Sequence, residues 1–276
     1  MILDVLLDAV LDTLKLLPFL FLTYLAMEYI EHKMSDKAVA LVNKAGHAGP
    51  VIGGALGIIP QCGFSAAMSN LYAGGLITRG TILAVFLSTS DEMLPILISE
   101  RVPIGLIFKI LLIKFLAGII VGIAVDLLSK SKNERHIHDL CEEDDCGCEH
   151  GIVHSAIHHT LQIIVFILVI NIVLNFVIEL VGTERLSAFI LNKPVIGELL
   201  SGIIGLIPNC AASVAITELY LQGGMSLGAM LSGLLVGSGL GLLVLFRMNK
   251  NTRDNLITLA ILYASGVVIG CIVNLF

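Results

Sequence analysis

The sequence predicts an all-α integral membrane protein made of two inverted-topology repeats, each with three spanning helices and a broken helical hairpin. Three observations predict it. Hydrophobic residues fill 57% of the 276 positions and charged ones only 14%. With a mean hydropathy of +0.96, that is too apolar for a water-soluble domain. Several apolar runs reach the length of about 18 residues that a hydrocarbon slab roughly 30 Å thick demands of a spanning helix. Finally, the stretch Ile58-Ile-Pro-Gln-Cys-Gly-Phe-Ser65 returns 148 positions later as Leu206-Ile-Pro-Asn-Cys-Ala-Ala-Ser213.

Five apolar segments come first, at 5–30, 49–60, 61–77, 80–99 and 104–128. Five more follow a central loop, at 158–181, 194–207, 210–222, 226–246 and 254–275. In both sets the second and third members are too short to span, so they pair as a hairpin. The opening segment does not read as a signal peptide. Asp4, Asp8 and Asp12 stand where basic residues would, and no small-residue cleavage site follows. The order of segments marks a tandem repeat: repeat 1 at 1–128, a linker at 129–155 and repeat 2 at 156–276.

Individual residues match as well. Thr13-Leu14 pairs with Thr160-Leu161, Pro50-Val-Ile-Gly53 with Pro194-Val-Ile-Gly197, and Leu71-Tyr72 with Leu219-Tyr220. Gly57, Gly75, Gly80 and Ser90 align with Gly205, Gly223, Gly228 and Ser238. The last helix of each repeat carries Gly118-x-x-x-Gly122-x-x-x-Asp126 or Gly266-x-x-x-Gly270-x-x-x-Asn274. Glycines at that spacing share one face and let helices approach closely in lipid, which makes packing their first explanation; they also leave room for a homodimer.

If each hairpin enters and leaves by one side, a repeat crosses three times and the second copy is inverted. Placing both termini outside the cell membrane puts Lys33, Lys37, Lys44, Arg79, Lys130, Lys132, Arg135, Arg247, Lys250 and Arg253 in cytoplasmic loops. Only Arg101, Arg185 and Lys193 then face outward, a strong positive-inside bias.

The hairpin tips are the expected binding site. Proline breaks the helical ladder, which lipid tolerates only where protein or a wet cavity supplies new partners. Pro60, Gln61, Cys62 and Ser65 should therefore meet Pro208, Asn209, Cys210 and Ser213 near the midplane. A lone membrane cysteine is usually a small buried hydrophobe, but duplication beside proline and an amide favours a site. Paired thiolates select soft ions such as Zn, Cu(I) or trivalent arsenic over magnesium or calcium. Ser90, Asp91 and Glu92 lie within an apolar segment, where ionisable groups mark ion paths. We expect Asp91 or Glu92 to couple transport to an ion; the structural alternative is pairing with Lys109 or Lys114. Glu218, aligned with Asn70, is a weaker candidate.

The central loop holds His136, His138, Cys141, Cys146, Cys148 and His150 within an acidic run. That ligand density suits Zn or another soft metal ion, although the spacing fits no standard finger. The plain alternative is a solvated acidic linker. The same loop supplies much of the net charge of −6, and the chain carries no nucleic-acid footprint. Six cysteines spread over tips, loop and Cys271 do not make a disulfide framework. The transport function itself calls for no cofactor.

At Pro60-Gln-Cys-Gly-Phe-Ser65, Leu71-Tyr-Ala-Gly-Gly75, Gly80-Thr81 and Leu87-Ser-Thr-Ser-Asp-Glu-Met-Leu-Pro95 the chain resembles a ten-helix heavy-metal exporter family. Its members carry labels of arsenic efflux protein or manganese transporter. The second tip and the His/Cys-rich linker are also similar to that family, and the resemblance extends over nearly the whole chain. It implies efflux of a metal or metalloid. Two other functions stay open: export of a small organic or thiol-bearing solute, and a membrane thiol oxidoreductase using Cys62 and Cys210. Neither cysteine forms Cys-x-x-Cys. No phosphate-binding Gly-x-x-x-x-Gly-Lys-[Ser/Thr] loop is present either, so an ion gradient or a partner would have to drive the transport.

Overall fold

A computed structural model describes residues 48–58, 62–90, 93–128, 194–208 and 210–275, with scattered positions between 10 and 25 and between 153 and 172. Among the described residues there are ten helical segments and no strand. In repeat 1 they are α1 (Gly49–Gly57), α2 (Cys62–Ala73), α3 (Arg79–Ser88), α4 (Met93–Ser99) and α5 (Ile104–Leu128). In repeat 2 they are α6 (Ile196–Gly205), α7 (Cys210–Leu221), α8 (Leu227–Val236), α9 (Gly241–Met248) and α10 (Thr252–Asn274).

Among the described residues four stretches are long and apolar enough to cross a membrane: Arg79–Ser99, Ile104–Leu128, Leu227–Met248 and Thr252–Asn274. The hairpin arms α1 and α6 have 9 and 10 residues. At 1.5 Å per residue they reach about 15 Å, half the hydrocarbon thickness.

Local chemistry sets the element ends, and it does so alike in both halves. Thr78 caps α3 by accepting from Thr81 N, and Ser226 caps α8 by accepting from Ala229 N. The hairpins close on Gly75 and Gly223, at φ 73° and 75°, where only glycine is free of a Cβ penalty. Each is followed by the crossed pair of hydrogen bonds that ends a helix on a left-handed residue. These run from Gly75 N to Tyr72 O and from Leu76 N to Leu71 O, and from Gly223 N to Tyr220 O and Gly224 N to Leu219 O.

Packing places α3 and α8 at the centre. About three quarters of their spans are buried, 75% and 78%, against 28% for α5 and for α10. α5 crosses α3 through glycine: a Cβ on Gly122 would lie 2.6 Å from Gly80 O, and one on Gly118 2.6 Å from Ala84 O. α10 repeats this on α8, with a Cβ on Gly270 falling 2.6 Å from Gly228 O. The glycine pattern is thus a close-crossing device, as its spacing predicts. One continuous core, including Phe86, Met93, Ile216, Leu231 and Leu235, joins the two halves.

Two expectations need correcting. The segments 80–99 and 226–246, read from sequence as unbroken spans, are each interrupted. α3 stops at Ser88 with Thr89 extended, and α8 stops at Val236 with Gly237 extended and Gly239 left-handed. Hydroxyls that compete for backbone partners, and glycines that favour non-helical backbone, explain both stops. The second correction concerns the Pro-Val-Ile-Gly match, which is one turn out of register. Gly54 faces Phe115 and Ile119 while Gly202 faces Tyr263 and Val267, so the 148-residue offset holds through the first hairpin arms and Gly197, not Pro194-Val-Ile-Gly197 as a block, stands opposite Gly49.

Candidate functional site: where the broken helices meet

Each half contains two interruptions, the hairpin tip and the break in its central helix. In repeat 1 these are tied together directly, because Ser90 donates from its hydroxyl to Ile58 O at 2.6 Å. A Cβ at Gly57 would lie 2.8 Å from Val85 O and 2.0 Å from Ser88 Oγ. The equivalent Gly205 would meet Gly233 O at 2.2 Å. The first hairpin arm therefore presses against the central helix just ahead of its break.

Contacts between the halves are reciprocal. α2 packs on α9 and α7 packs on α4, so each tip helix leans on the segment after the other half's break. Ser69 Oγ sits 2.9 Å from Ser65 O and 2.7 Å from Gly241 O, sharing its proton between its own helix and the start of α9. Thr217, its counterpart, donates to Ser213 O at 2.7 Å. Ala66 of the first tip packs with Leu240 and Val244, and Phe21, Leu25 and Ile164 lie against that cluster.

The breaks are buried and polar. Ser65 and Ser88 are wholly enclosed, and Thr89, Ser90 and Ser238 nearly so. A helix that stops leaves carbonyls and N–H groups unpaired, and inside a membrane protein or water must take them up. One such carbonyl is taken by a lysine. Lys114, in the middle of α5 and 1% exposed, donates to Leu234 O in the last turn of α8. A cation there also suits the negative end of that helix. Lys114 has Leu262 as its repeat counterpart, so the charge is placed on one side only.

The site residues expected from sequence divide by what is described. Ser65 and Ser90 stand at the tip and break of repeat 1 as above; Ser213 and Pro208 are half-buried at the second tip. Cys62 and Cys210 open α2 and α7; their side chains fall outside the described residues. Pro60, Gln61, Asp91, Glu92 and Asn209 also lie outside them, as do the linker residues His136, His138, Cys141, Cys146, Cys148 and His150. Among the described residues no group of three or more His, Cys, Asp or Glu forms a metal cluster.

Sequence reasoning missed a second polar group joining the halves. Asp254, in the first turn of α10, is ion-paired with Arg79 at the start of α3. It also accepts from Tyr72 Oη at 2.7 Å and from Asn249 Nδ2 at 2.9 Å. Asn249 and Asn255 bond each other as well, with Asn255 Nδ2 donating to Asn249 O at 2.8 Å. These residues have Leu227, Leu106, Arg101 and Ile107 at the equivalent positions, so only one end of the bundle is fastened this way.

Among the described residues, an all-helical arrangement with four stretches apolar enough to cross a membrane is that of a multi-pass membrane protein. Residues 1–181 match the profile of the family described as "Putative, 10TM heavy-metal exporter". The chain belongs to that family. The match covers repeat 1, the linker and the start of repeat 2, so the second Pro208-Asn-Cys210 tip lies beyond it and the expected resemblance over nearly the whole chain is shortened. No curated protein and no solved structure matches the chain.

Proposed function

We propose that the chain is a secondary transporter that exports a thiophilic heavy metal or metalloid, holding its substrate where the two hairpin tips and two helix breaks meet. One observation carries this: each tip helix packs on the segment after the other half's break. The interruptions are thereby gathered into one polar region instead of being scattered along the bundle. Reciprocal contacts of that kind suit a pseudo-twofold axis such as inverted repeats have, and the excess of Lys and Arg in the loops assigned to the cytoplasm favours both termini outside. Membership of a heavy-metal exporter family supports the substrate class.

In this reading Cys62 and Cys210 supply soft ligands, with Gln61, Asn209, Ser65 and Ser213 around them and Pro60 and Pro208 setting the bends. Asp91 and Glu92 follow Ser90 at the first break and attract the cation or carry the coupling proton, while Lys114 provides the opposite charge at the second. The His/Cys-rich linker collects the metal ahead of transport. The protein is a carrier and not an enzyme.

The test compares growth of cells with and without the gene across As, Zn, Mn, Cu and Cd. Sensitivity to at least one ion must rise on deletion and return to normal with the gene restored. Restoration by a chain with Cys62→Ser and Cys210→Ser would remove the thiols from the account and favour an organic solute.

A further inference from the structure

Besides the ion-paired Asp254, repeat 2 buries a second carboxyl group that the transport site does not use. Glu198, in the first turn of α6, is 1% exposed, and among the described residues neither of its oxygens has a hydrogen-bond partner. One turn later on the same face, Ser201 is fully buried with its hydroxyl also unpartnered. Both groups lie over bare stretches of α8. A Cβ at Gly228 would stand 3.1 Å from Glu198 Oε1, and one at Gly233 2.3 Å from Ser201 Oγ. Glycine therefore makes the space these side chains fill.

Repeat 1 handles the same place differently. Asp126, from the end of α5, reaches the start of α3 and accepts from Gly80 N at 2.8 Å and Thr78 Oγ1 at 2.6 Å. Its counterpart is Asn274, and in repeat 2 the acid comes from the hairpin instead. An acid at this end suits the positive end of α8. That dipole does not explain why Asp126 takes two hydrogen bonds and Glu198 none.

Beyond the two helix starts, the described elements packed on α6 bring no basic side chain near Glu198. α8 contains no titratable residue. α10 presents Cys271, which is within electrostatic reach of Glu198, and Tyr263, whose hydroxyl donates to Leu199 O at 3.1 Å. The only basic residue of α10, Arg253, is at its far end. α7 brings Glu218, which is exposed, and the half-buried Tyr220. As a general rule, burying a carboxylate without a partner costs much more than burying the neutral acid, which itself costs something when unpartnered.

We infer that Glu198 is a proton-binding site. Resting on the transport reading above, it is a group through which a proton gradient acts on repeat 2. The step is simple: the carboxylate takes one proton to become the neutral acid when the hairpin is closed over it, and releases it when water reaches α6.

Dicyclohexylcarbodiimide, an apolar reagent that attaches to protonated carboxyls, tests this on the purified full chain in lipid, read by mass spectrometry from mildly acidic to mildly alkaline buffer. Glu198 should be labelled in acid and lose labelling several-fold as pH rises; Asp126 should stay unlabelled. Glu198→Asp should keep a pH-dependent adduct and Glu198→Gln should show none. Absence of the adduct at every pH in folded protein overturns the inference, and so does labelling that pH does not move. Protection by added Zn2+ at constant pH overturns it in favour of a cation site. In proteoliposomes, Zn2+ or arsenite flux should respond to an imposed pH gradient in the wild type and not in Glu198→Gln. A wild type that carries neither probe refutes the transport reading while leaving the labelling result intact; a Glu198→Gln chain that responds like wild type refutes the coupling role.

Discussion

Gly241→Ala is the substitution that presses hardest on the meeting of tip and break. Gly241 opens α9, and a Cβ there would lie 2.7 Å from Phe86 Cε1, 2.9 Å from Ser65 Cβ and 3.0 Å from the Ser65 carbonyl carbon. Carbon atoms in contact prefer about 3.5–4.0 Å, so each neighbour must retreat by roughly 1 Å. Phe86 has some freedom to turn, but the backbone of Ser65 does not. Overpacking a core costs about 1–3 kcal/mol, and a backbone neighbour puts this case toward the upper end. If α2 withdraws, Gly241 O also loses Ser69, adding about 1 kcal/mol. Gly105→Ala is the matched control, since nothing lies within 4 Å of its Cβ. The chain has no tryptophan, so thermal loss of helical circular dichroism in one fixed detergent is the assay. Gly241→Ala should unfold well below both wild type and the control, and adding Ser65→Gly should recover part of the loss, a coupling of about 0.5 kcal/mol or more. If Gly241→Ala melts with the control, the first tip does not rest on the second break and the site described above is refuted.

Three further substitutions probe the other joints. Lys114→Met keeps volume but deletes the cation at Leu234 O. Export in vesicles should fall several-fold while the protein still folds, and normal export would deny Lys114 a part in the site. Asp254→Asn breaks the pair with Arg79, whose side chains are only 19% and 9% exposed. It should cost about 3 kcal/mol, measured by the same melt, and Arg79→Leu with Asp254→Leu together should cost less than the two singles summed. A change within about 0.5 kcal/mol would mark a solvated surface bridge instead. Gly223→Ala meets nothing within 4 Å yet sits at φ +75°, so its cost of about 1 kcal/mol should come from the backbone alone; no loss would mean the turn between α7 and α8 relaxes.

Much of this architecture was legible because lipid permits few solutions. Apolar runs located the described helices to within a few residues, and the repeated octapeptide gave the offset that the glycine contacts obey. Pro60 and Pro208 announced the interrupted hairpins. The break at Gly237 to Leu240 stayed hidden since Gly and Ser are common in membrane helices and no proline or charge marks it. Lys114 also donates to Leu234 O, and a backbone carbonyl leaves no trace in a residue pattern. The pairing of Arg79 with Asp254 spans 175 residues; in sequence, Arg79 counts simply as one more basic residue at a loop. Glu198 shows the same limit, because its isolation comes from what α8 lacks.

The tips as a metal site face their most direct trial in equilibrium binding of Zn2+ or trivalent arsenic to the purified full chain. His136, His138, Cys141, Cys146, Cys148 and His150 are first replaced so that the linker does not contribute. With Cys62 and Cys210 intact, a saturable site should remain, and changing both to serine should abolish it. Equal binding with and without those two thiols, or none in either chain, would contradict a substrate held between the hairpins.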